Sequence, residues 1–243
     1  MIPTYNEAEN IEIIVREILS KAKYFNPHIL ILDDNSTDGT GTIADSLSEE
    51  FEQVHVMHRP NKEGLGKAYA AGFKWGLERG YDFLCEMDAD GSHRPIDLPK
   101  LFEAALNGKD KPSLIIGSRW VPDGGVENWP FQRKMLSKGG SLYARICLSL
   151  KVKDVTAGFR VYDAEIIKTF PLDEIESSGY CFQIDLTLRT SLNKSFGIIE
   201  VPIIFVERIH GQSKMSGNIV KEAILNVGKW GFYKRFAKKK FKF

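Results

Sequence analysis

Two aspartates stand one residue apart in the segment "EMDADGSHRP", at Asp88 and Asp90, directly after the apolar run "YDFLC". Neighbouring carboxylates repel each other, and a hard divalent cation such as Mg²⁺ or Mn²⁺ removes that repulsion. In an extended segment residues two apart point the same way, so both side chains can face one ion. An Asp-x-Asp pair is also common in turns. Its place at the end of a buried strand favours a site for a metal and a diphosphate over a plain turn.

A second acidic pair, Asp33 and Asp34, ends the apolar run "HILILDD". An aspartate here can hydrogen-bond a nucleobase or a ribose, or it can cap the turn "NSTDGT" that follows. The two roles can be divided between the two residues. Glu7 in "PTYNE" is open to the same two interpretations, as a nucleoside contact or as a first-turn acid that faces a helix dipole.

Basic residues gather in the second half of the chain. Arg119 closes an apolar run, Arg133 opens a helical segment, and Arg208 and Lys214 lie in the loop "ERIHGQSKMSG". A guanidinium group can bond two phosphate oxygens at once, so these residues are candidate phosphate ligands. The alternative is ordinary solvated surface charge.

A further candidate segment is "GYCFQIDL", in which Gln183 and Asp185 stand where a helix begins. Asp185 can orient an acceptor or an arginine, or it can be a simple first-turn acid. His93 and His210 flank the two polar loops, but a single histidine is more often structural than catalytic. The sequence contains no Ser/His/Asp or Cys/His pattern of a nucleophilic enzyme.

The elements that must position these side chains alternate along the first 120 residues. Apolar strands such as "HILILDD", "VHVMH", "YDFLCEMD" and "SLIIGSR" are separated by helical patterns, the first of them from Asn10, a candidate N-cap, to Phe25. This alternation predicts a doubly wound, mostly parallel sheet flanked by helices, with ligands at the carboxyl ends of the strands. The first strand is almost missing, because Met1 and Ile2 lead directly into "PTYNE".

The second half is less regular and contains no clear linker. We predict one domain over residues 1–228, with a nucleotide-binding half at 1–120 and a half at 121–228 that completes the site. The segment "GIIEVPIIFVE" is predicted as one strand, and a last helix runs from about Asn218 into the tail. The tail, residues 229–243, holds seven Lys/Arg, six aromatics and no acid. An amphipathic helix on an anionic membrane surface is favoured over a solvated basic end.

Composition excludes several classes of protein. The 33 basic and 32 acidic residues nearly balance, so no overall basic field points to nucleic acid. The three cysteines lie in apolar contexts and are expected to be free thiols in a reducing compartment. We find no signal peptide and no apolar run long enough to span a bilayer. These features predict a protein that is soluble or lies on a membrane surface. Together with the resemblance that follows, the expectation is a cytoplasmic protein, peripheral on the inner face of a membrane.

Eight segments together resemble the polyprenol (dolichyl) monophosphate mannose synthases, which are inverting glycosyltransferases of the GT-A type. In order they are "IPTYNEAENI", "LDDNSTDGT", "EMDADGSHRP", "GSRWVPDGG", "NWPFQRKMLSKGGSLYAR", "DVTAGFRVY", "GYCFQIDL" and "VERIHGQSKMSG". The resemblance runs from Ile2 to about Trp230, and the last five segments are the most specific to this branch. It implies mannose transfer from GDP-mannose to a polyprenyl phosphate, with Mg²⁺ or Mn²⁺ as cofactor.

The resemblance also implies roles for single residues. The matching donor-binding positions are Pro3, Tyr5, Glu7, Leu32, Asp34, Asp88, Ala89, Asp90, Arg119, Arg208 and Lys214. The metal would be held by Asp88 and Asp90, and Ser92 stands where some relatives have a metal-coordinating Gln. Arg119 and Arg133 match the acceptor phosphate site, and with Asp90 they are the expected catalytic residues.

Three other functions stay open from the sequence. The first is a polyprenyl-phosphate glucosyl- or N-acetylhexosaminyltransferase that uses a UDP-sugar. The second is a non-catalytic nucleotide-binding module or membrane adaptor, disfavoured by the paired aspartates and the basic loop. The third is a processive polysaccharide synthase domain, disfavoured because no membrane spans follow. A separate membrane-anchoring protein as a partner is also left open.

Overall fold

Strands and helices alternate along the first half of the chain in the computed structural model, which describes residues 1–108, 112–174, 179–208 and 217–236. The elements of the first half are β1 (Ile2–Thr4), α1 (Ile11–Lys21), β2 (Ile29–Asp33), α2 (Thr40–Glu50), β3 (Val54–His58), α3 (Leu65–Glu78), β4 (Phe83–Glu86), α4 (Leu98–Asn107) and β5 (Leu114–Ser118). The second half adds β6 (Gly125–Glu127), α5 (Phe131–Leu148), β7 (Arg160–Asp163), α6 (Ala164–Ile167), α7 (Gly179–Leu192), β8 (Ile198–Pro202), β9 (Ile204–Val206) and α8 (Gly217–Phe236).

Helix α1 shows how the apolar periodicity is used. Ile11, Ile14, Val15 and Ile18 are its buried residues, which is the predicted face. The helix ends at Lys21, earlier than predicted, and a 3₁₀ turn covers residues 23–25. The next residue is left-handed and precedes Pro27, a position where a helix does not continue.

The sheet is doubly wound around β1 and β4. Strand β1 pairs with β2 and β2 with β3, all parallel. The Met1 backbone nitrogen donates to the Cys85 carbonyl at 2.8 Å, and the Met87 amide donates to the Met1 carbonyl at 3.2 Å. These bonds join the first sheet to the second, whose order is β4-β7-β5-β8. The start of the chain is therefore bonded to a neighbouring strand on each side.

Two details differ from the predicted sheet. Strand β7 lies antiparallel between β4 and β5, so the second sheet is mixed. The segment predicted as one long strand is two strands: β8 pairs with β5, and β9 pairs with β6. The break follows Pro202, which has no N–H for a ladder. Beyond it, the Ile203 amide donates to the Ser118 carbonyl at 3.1 Å.

The apolar core lies on both faces of this sheet. One cluster joins α3, α5, α6 and α7 to the second sheet and contains Phe73, Tyr162 and Phe182, all fully buried. The other joins α1, α2 and α4 to the opposite face. Each such buried side chain stabilises the fold by about 1.5–3 kcal/mol relative to exposure. The polar loops at the strand ends are thus carried on a packed scaffold.

No helix among the described residues combines the length and apolar character that crossing a membrane requires.

Candidate active site

A cavity of about 340 Å³ opens at the carboxyl ends of the strands. It brings together residues from the β1–α1, β2–α2, β3–α3 and β4–α4 connections and from the second half of the chain. Ten of the predicted site residues line it: Pro3, Tyr5, Glu7, Asp34, Asp88, Ala89, Asp90, Arg119, Arg133 and Arg208. The predicted site residues therefore meet in one place, although they lie up to 205 residues apart in the chain.

The acidic loop after β4 is held by its own side chains. Asp90 Oδ1 accepts hydrogen bonds from the Ser92 amide at 3.1 Å and from the Ser92 hydroxyl at 2.5 Å. The Asp88 amide donates to His93 Nδ1 at 2.9 Å, so this ring nitrogen is unprotonated. The His93 ring is buried and stacks on Phe159 with centroids 5.0 Å apart. His93 is therefore a structural residue of the loop, as a single histidine suggests.

The two carboxyl groups differ in their surroundings. Burial, together with the nearby charge of Asp90, raises the pKa of Asp88 above its ordinary value. Burial also acts on Asp90, but the hydrogen bonds from Ser92 and the Arg208 cation lower its pKa below the ordinary value. Arg208 Nη1 lies 3.3 Å from Asp90 Oδ2. Asp90 thus carries a negative charge that faces a cation.

The donor set at this loop fits a hard cation. The Asp88 carboxylate lines the cavity and accepts no hydrogen bond from any described residue. Within the described ranges, no group of three or more His, Cys, Asp and Glu side chains could hold a metal alone. Two carboxylates with further oxygens from a diphosphate are the usual way in which proteins hold Mg²⁺. Asp88 and Asp90 would hold such an ion together with its substrate.

Arg119 is anchored by an acid that the sequence analysis did not assign. Its Nε and Nη2 donate to the two carboxylate oxygens of Asp154 at 2.7 Å each, and Nη2 also reaches Thr156 Oγ1 at 3.0 Å. Asp154 is fully buried and Arg119 is 4% exposed. This bidentate pair holds the guanidinium rigidly at the cavity wall.

Arg133 stands on the first turn of α5 and pairs with Glu207, which follows β9. Its guanidinium carbon lies 4.1 Å from the centroid of the Trp129 ring, which also lines the cavity. The side chain is a quarter exposed, so it can contact both the cavity and solvent. The ion pair and the stacked ring hold the Arg133 guanidinium in position at the mouth of the cavity.

The end of the cavity at β2 has a different character. Asp34 forms an ion pair with Arg59, and both are largely buried. Burial and the neighbouring Asp33 raise the pKa of Asp34, while Arg59 opposes the shift. The Lys62 ammonium lies 3.8 Å from the centroid of the Tyr5 ring. A flat ring with flanking polar groups is suited to a nucleoside.

The other acids near β2 have local partners. Asp33 accepts from the Thr4 hydroxyl at 3.2 Å and from the Ser36 hydroxyl at 2.5 Å, which ties the turn after β2 to β1. It does not line the cavity, whereas Asp34 does. Glu7 lines the cavity, and its carboxylate accepts a hydrogen bond from the side-chain amide of Asn10 at 2.9 Å. Asn10 is the N-cap residue of α1, as predicted, and its backbone carbonyl accepts from the Ile14 amide at 3.0 Å, but its side chain makes no capping bond to the described residues of the helix.

Two predicted residues that the structure describes, Leu32 and Ser92, are not on the cavity wall. Leu32 is fully buried within β2. Ser92 is 1% exposed and directs its hydroxyl to Asp90, so it orients that carboxylate here, and its role as a metal ligand stays a prediction. Lys214 lies outside the described residues, as does His210.

Sequence reasoning missed several residues that the fold brings to the site. Besides Asp154 they are Arg59, Lys62, Trp129, Thr156 and Glu207. Asp154 stands at the head of "DVTAGFRVY", a segment that was recognised, but no local pattern links it to Arg119, 35 residues earlier. Arg59 and Lys62 follow β3, so their position at a strand's carboxyl end was the available signal.

A second cavity of about 330 Å³ adjoins the first between α5 and α8. The two cavities share Trp129, Arg133 and Thr156. Apart from these, small and apolar residues dominate its wall: Leu136, Ser137, Gly139, Gly140, Tyr143, Ala144, Ile184, Ala223, Ile224 and Val227. A polar, charged cavity thus opens onto an apolar groove, and Arg133 stands at the junction.

Comparison of folds supports the predicted architecture. Glucosyl-3-phosphoglycerate synthase from Mycobacterium tuberculosis, solved with Mn²⁺, UDP and glucosyl-3-phosphoglycerate, superposes with a TM-score of 0.65. The two sequences are 19% identical, and the match covers 97% of this chain and 78% of that one. At this identity the likeness concerns the fold alone. The expected doubly wound GT-A type fold is confirmed.

Sequence comparison is more specific. The model of Glycosyl transferase family 2 matches residues 1–170. The undecaprenyl-phosphate mannosyltransferase of Micrococcus luteus is 52% identical over 97% of this chain and 94% of its own length. The polyprenol monophosphomannose synthase of Mycolicibacterium smegmatis is 50% identical over 95% and 85%. The dolichol-phosphate mannosyltransferase of Pyrococcus furiosus is 37% identical over 93% of this chain and 61% of its own length. The chain therefore belongs to glycosyltransferase family 2, on the branch of the polyprenyl-phosphate mannosyltransferases.

Proposed function

We propose that this protein transfers mannose from GDP-mannose to a polyprenyl phosphate, with inversion, and releases polyprenyl phosphate mannose and GDP. One observation carries the proposal: the cavity lined by Asp88, Asp90 and Arg208 joins an apolar groove at Arg133. The reaction needs a charged site for a nucleotide diphosphate and an apolar site for a lipid, with a phosphate between them. The names of the relatives point to the same sugar and acceptor class.

The strand order suggests how the donor lies. Asp34 follows β2, Asp88 follows β4, and β1 stands between these strands. Two strand spacings separate the two acids by about 10 Å across the sheet. A nucleoside between Tyr5 and Asp34 would extend its diphosphate to Asp88 and Asp90, and its sugar beyond them toward α7. Residues 1–120 would then bind the nucleotide, as the sequence predicts.

The leaving group determines what the site must stabilise. Negative charge grows on the diphosphate as the bond to the sugar breaks. Bound Mg²⁺ or Mn²⁺ would supply Lewis-acid stabilisation of that charge. Arg208 faces Asp90 in this structure, so it can turn its guanidinium to the diphosphate when the donor binds. Ser92 keeps the Asp90 carboxylate in one orientation throughout.

The acceptor phosphate would bind between Arg119 and Arg133. Asp154 holds Arg119 in place, and Glu207 and Trp129 hold Arg133. A phosphate oxygen is already ionised at neutral pH, so its attack needs no strong general base. Attack from the face opposite the diphosphate inverts the anomeric carbon. The first isoprene units would lie in the apolar groove between α5 and α8.

The direct test is transfer of labelled mannose from GDP-mannose to polyprenyl phosphate, with and without a chelator. Label should enter the organic phase only with a divalent ion present. Absence of labelled lipid with every metal tried would contradict the function. GDP should also protect the protein against thermal unfolding better than UDP, which separates a mannose enzyme from a UDP-sugar enzyme.

Asp90→Asn tests the metal assignment. The amide loses the charge that pairs with the cation, and we expect turnover to fall by about a hundredfold or more. The melting temperature should stay close to wild type. Asp82→Asn, at an exposed position next to β4, is the matched control and should keep full activity. Full activity of Asp90→Asn would refute the assignment.

We also infer that the protein works at the cytoplasmic surface of an anionic membrane. The lipid groove lies between α5 and α8, and both helices expose large apolar side chains. On α5 these are Phe131, Met135, Leu136, Leu142 and Ile146, and on α8 they are Ile224, Leu225, Phe232 and Phe236. Lysines and an arginine lie among them, a composition that suits anionic headgroups. The amphipathic character of α8 and the membrane role of residues 229–243 stay predictions.

A further inference from the structure

Three buried oxygen atoms beneath the cavity have no hydrogen-bond partner among the described residues. They are Glu86 Oε1, Gln183 Oε1 and Tyr69 Oη. Buried polar side-chain atoms nearly always have a partner, so each unpaired atom calls for an explanation. Of the three residues, only Gln183 lines the cavity. Gln183 is therefore the one of the three residues that a molecule in the cavity meets.

The orientation of the Gln183 amide is set by its neighbours. Its Nε2 donates to Glu86 Oε2 at 2.8 Å, and in this arrangement Oε1 is the acceptor without a partner. The helix is anchored at the same residue, because the Gln183 backbone carbonyl accepts from Arg160 Nη1 at 2.9 Å. Gln183 is 2% exposed and Arg160 is fully buried. An acceptor held this firmly is pre-organised for one donor.

The chemistry of the missing partner follows from this geometry. A carbonyl oxygen repels a phosphate and needs a hydroxyl or amide donor. Glu86 immediately precedes the acidic loop, so Gln183 lies on the diphosphate side of the cavity, away from Tyr5 and Asp34. On the proposed donor path the group beyond the diphosphate is the hexose, which presents only hydroxyls as donors.

We propose that Gln183 Oε1 accepts a hydrogen bond from a hydroxyl of the transferred hexose and so contributes to sugar selection. This rests on the proposed function and adds a specificity residue to it. Glu86 is then a positioning residue, because it holds the amide with its oxygen toward the sugar. A site that hydrogen-bonds a substrate hydroxyl discriminates strongly against the analogue that lacks it.

The test combines variants of Gln183 with GDP-mannose analogues that each lack one hydroxyl. In wild type, loss of the contacted hydroxyl should lower kcat/KM by about tenfold or more. Gln183→Met has similar volume but no acceptor, so it should be slower with GDP-mannose and should no longer distinguish that one analogue. Gln183→Glu keeps an acceptor and should still distinguish it. Thr190→Ala, on the same helix but away from the cavity, should behave as wild type.

The outcomes separate this inference from the proposed function. If wild type does not use GDP-mannose, the proposed function fails. If wild type transfers mannose and Gln183→Met discriminates among all the analogues as wild type does, the inference is overturned, and a buried water shared with Tyr69 and Glu86 is the partner. Should Gln183→Met not fold, Gln183→Asn, which withdraws the oxygen by one methylene, is measured against the same analogues with the same two outcomes.

Discussion

Ion pairs hold the basic side chains of the site at fixed positions, and the pairs of Arg119 and Arg59 are buried whereas that of Arg133 is partly exposed. Arg119 is paired with Asp154, Arg59 with Asp34, and Arg133 with Glu207. Each guanidinium is thereby oriented before a substrate binds. Less side-chain conformational entropy is then lost when the substrate binds. Removing one partner of such a buried pair usually destabilises a protein by about 3–5 kcal/mol. The residue types were visible in the sequence, but the pairs were not.

Titration of Glu86 should make the stability of the fold depend on pH, and this can be measured without an activity assay. Burial raises its pKa to about 8, although Arg160 and the Gln183 amide oppose the shift. The unfolded chain releases this proton near pH 4.5, so between about pH 4.5 and 8 the folded state binds more protons than the unfolded state. The contribution of Glu86 to the free energy of unfolding is therefore greatest below this pH window and falls as the pH rises through it.

Glu86→Gln keeps the size and removes the titration. We expect the melting temperature of this variant, relative to wild type, to increase from about pH 5 to about pH 8, because only wild type loses the contribution of Glu86 over this window. The measurement is thermal unfolding of both proteins at several pH values. A difference that stays constant with pH would mean that Glu86 titrates normally in the folded protein.

Helix α5 serves two cavities and is built unlike an ordinary core helix. It has only three buried residues and contains two successive glycines, Gly139 and Gly140. A β-carbon at either glycine would meet no described atom within 4 Å. Each glycine costs the helix roughly 1 kcal/mol relative to alanine. Both glycines line the apolar groove. The space beside them is open because glycine has no side chain to fill it.

A larger side chain in that space should weaken binding of the acceptor without lowering the stability of the protein. Gly140→Leu should leave the melting temperature unchanged or raise it, since it improves helix propensity and its β-carbon would have no neighbour within 4 Å. It should raise the KM for a long polyprenyl phosphate several-fold and leave the KM for GDP-mannose unchanged. Steady-state kinetics with each substrate varied in turn provides the measurement. Gly140→Ala adds only a methyl group and is the control; equal KM values for the lipid in all three proteins would contradict a lipid groove.

Among the described residues, helices α5 and α8 carry most of the exposed large apolar side chains. Two of these, Leu136 and Ile224, also line the apolar groove. Exposed apolar patches of this kind usually mark an interaction surface. On the proposed function, a lipid would enter the groove from a bilayer, and this face would then have to meet the membrane.

A matched pair of isoleucines tests that orientation. Ile146 on α5 is 67% exposed and Ile13 on α1 is 58% exposed, on different helices. Ile146→Glu should weaken binding to anionic liposomes by about tenfold, because an apolar contact is replaced by a repelled charge. Ile13→Glu should bind as wild type. Co-sedimentation with liposomes measures both, and an equal effect of the two changes would argue against docking through α5.

The sequence by itself determined the alternation of strands and helices, the acidic loop after β4, the chemical types of the site residues and the family. These are local properties, since periodicity, turn chemistry and motif spacing all act over a few residues. Tertiary structure alone decided that β7 runs antiparallel between β4 and β5, and that β8 and β9 pair with different strands. It also brought Gln183 to Glu86, 97 residues away, and Asp154 to Arg119. Such contacts depend on which surfaces pack together across the whole chain, and no short pattern of residues encodes that choice.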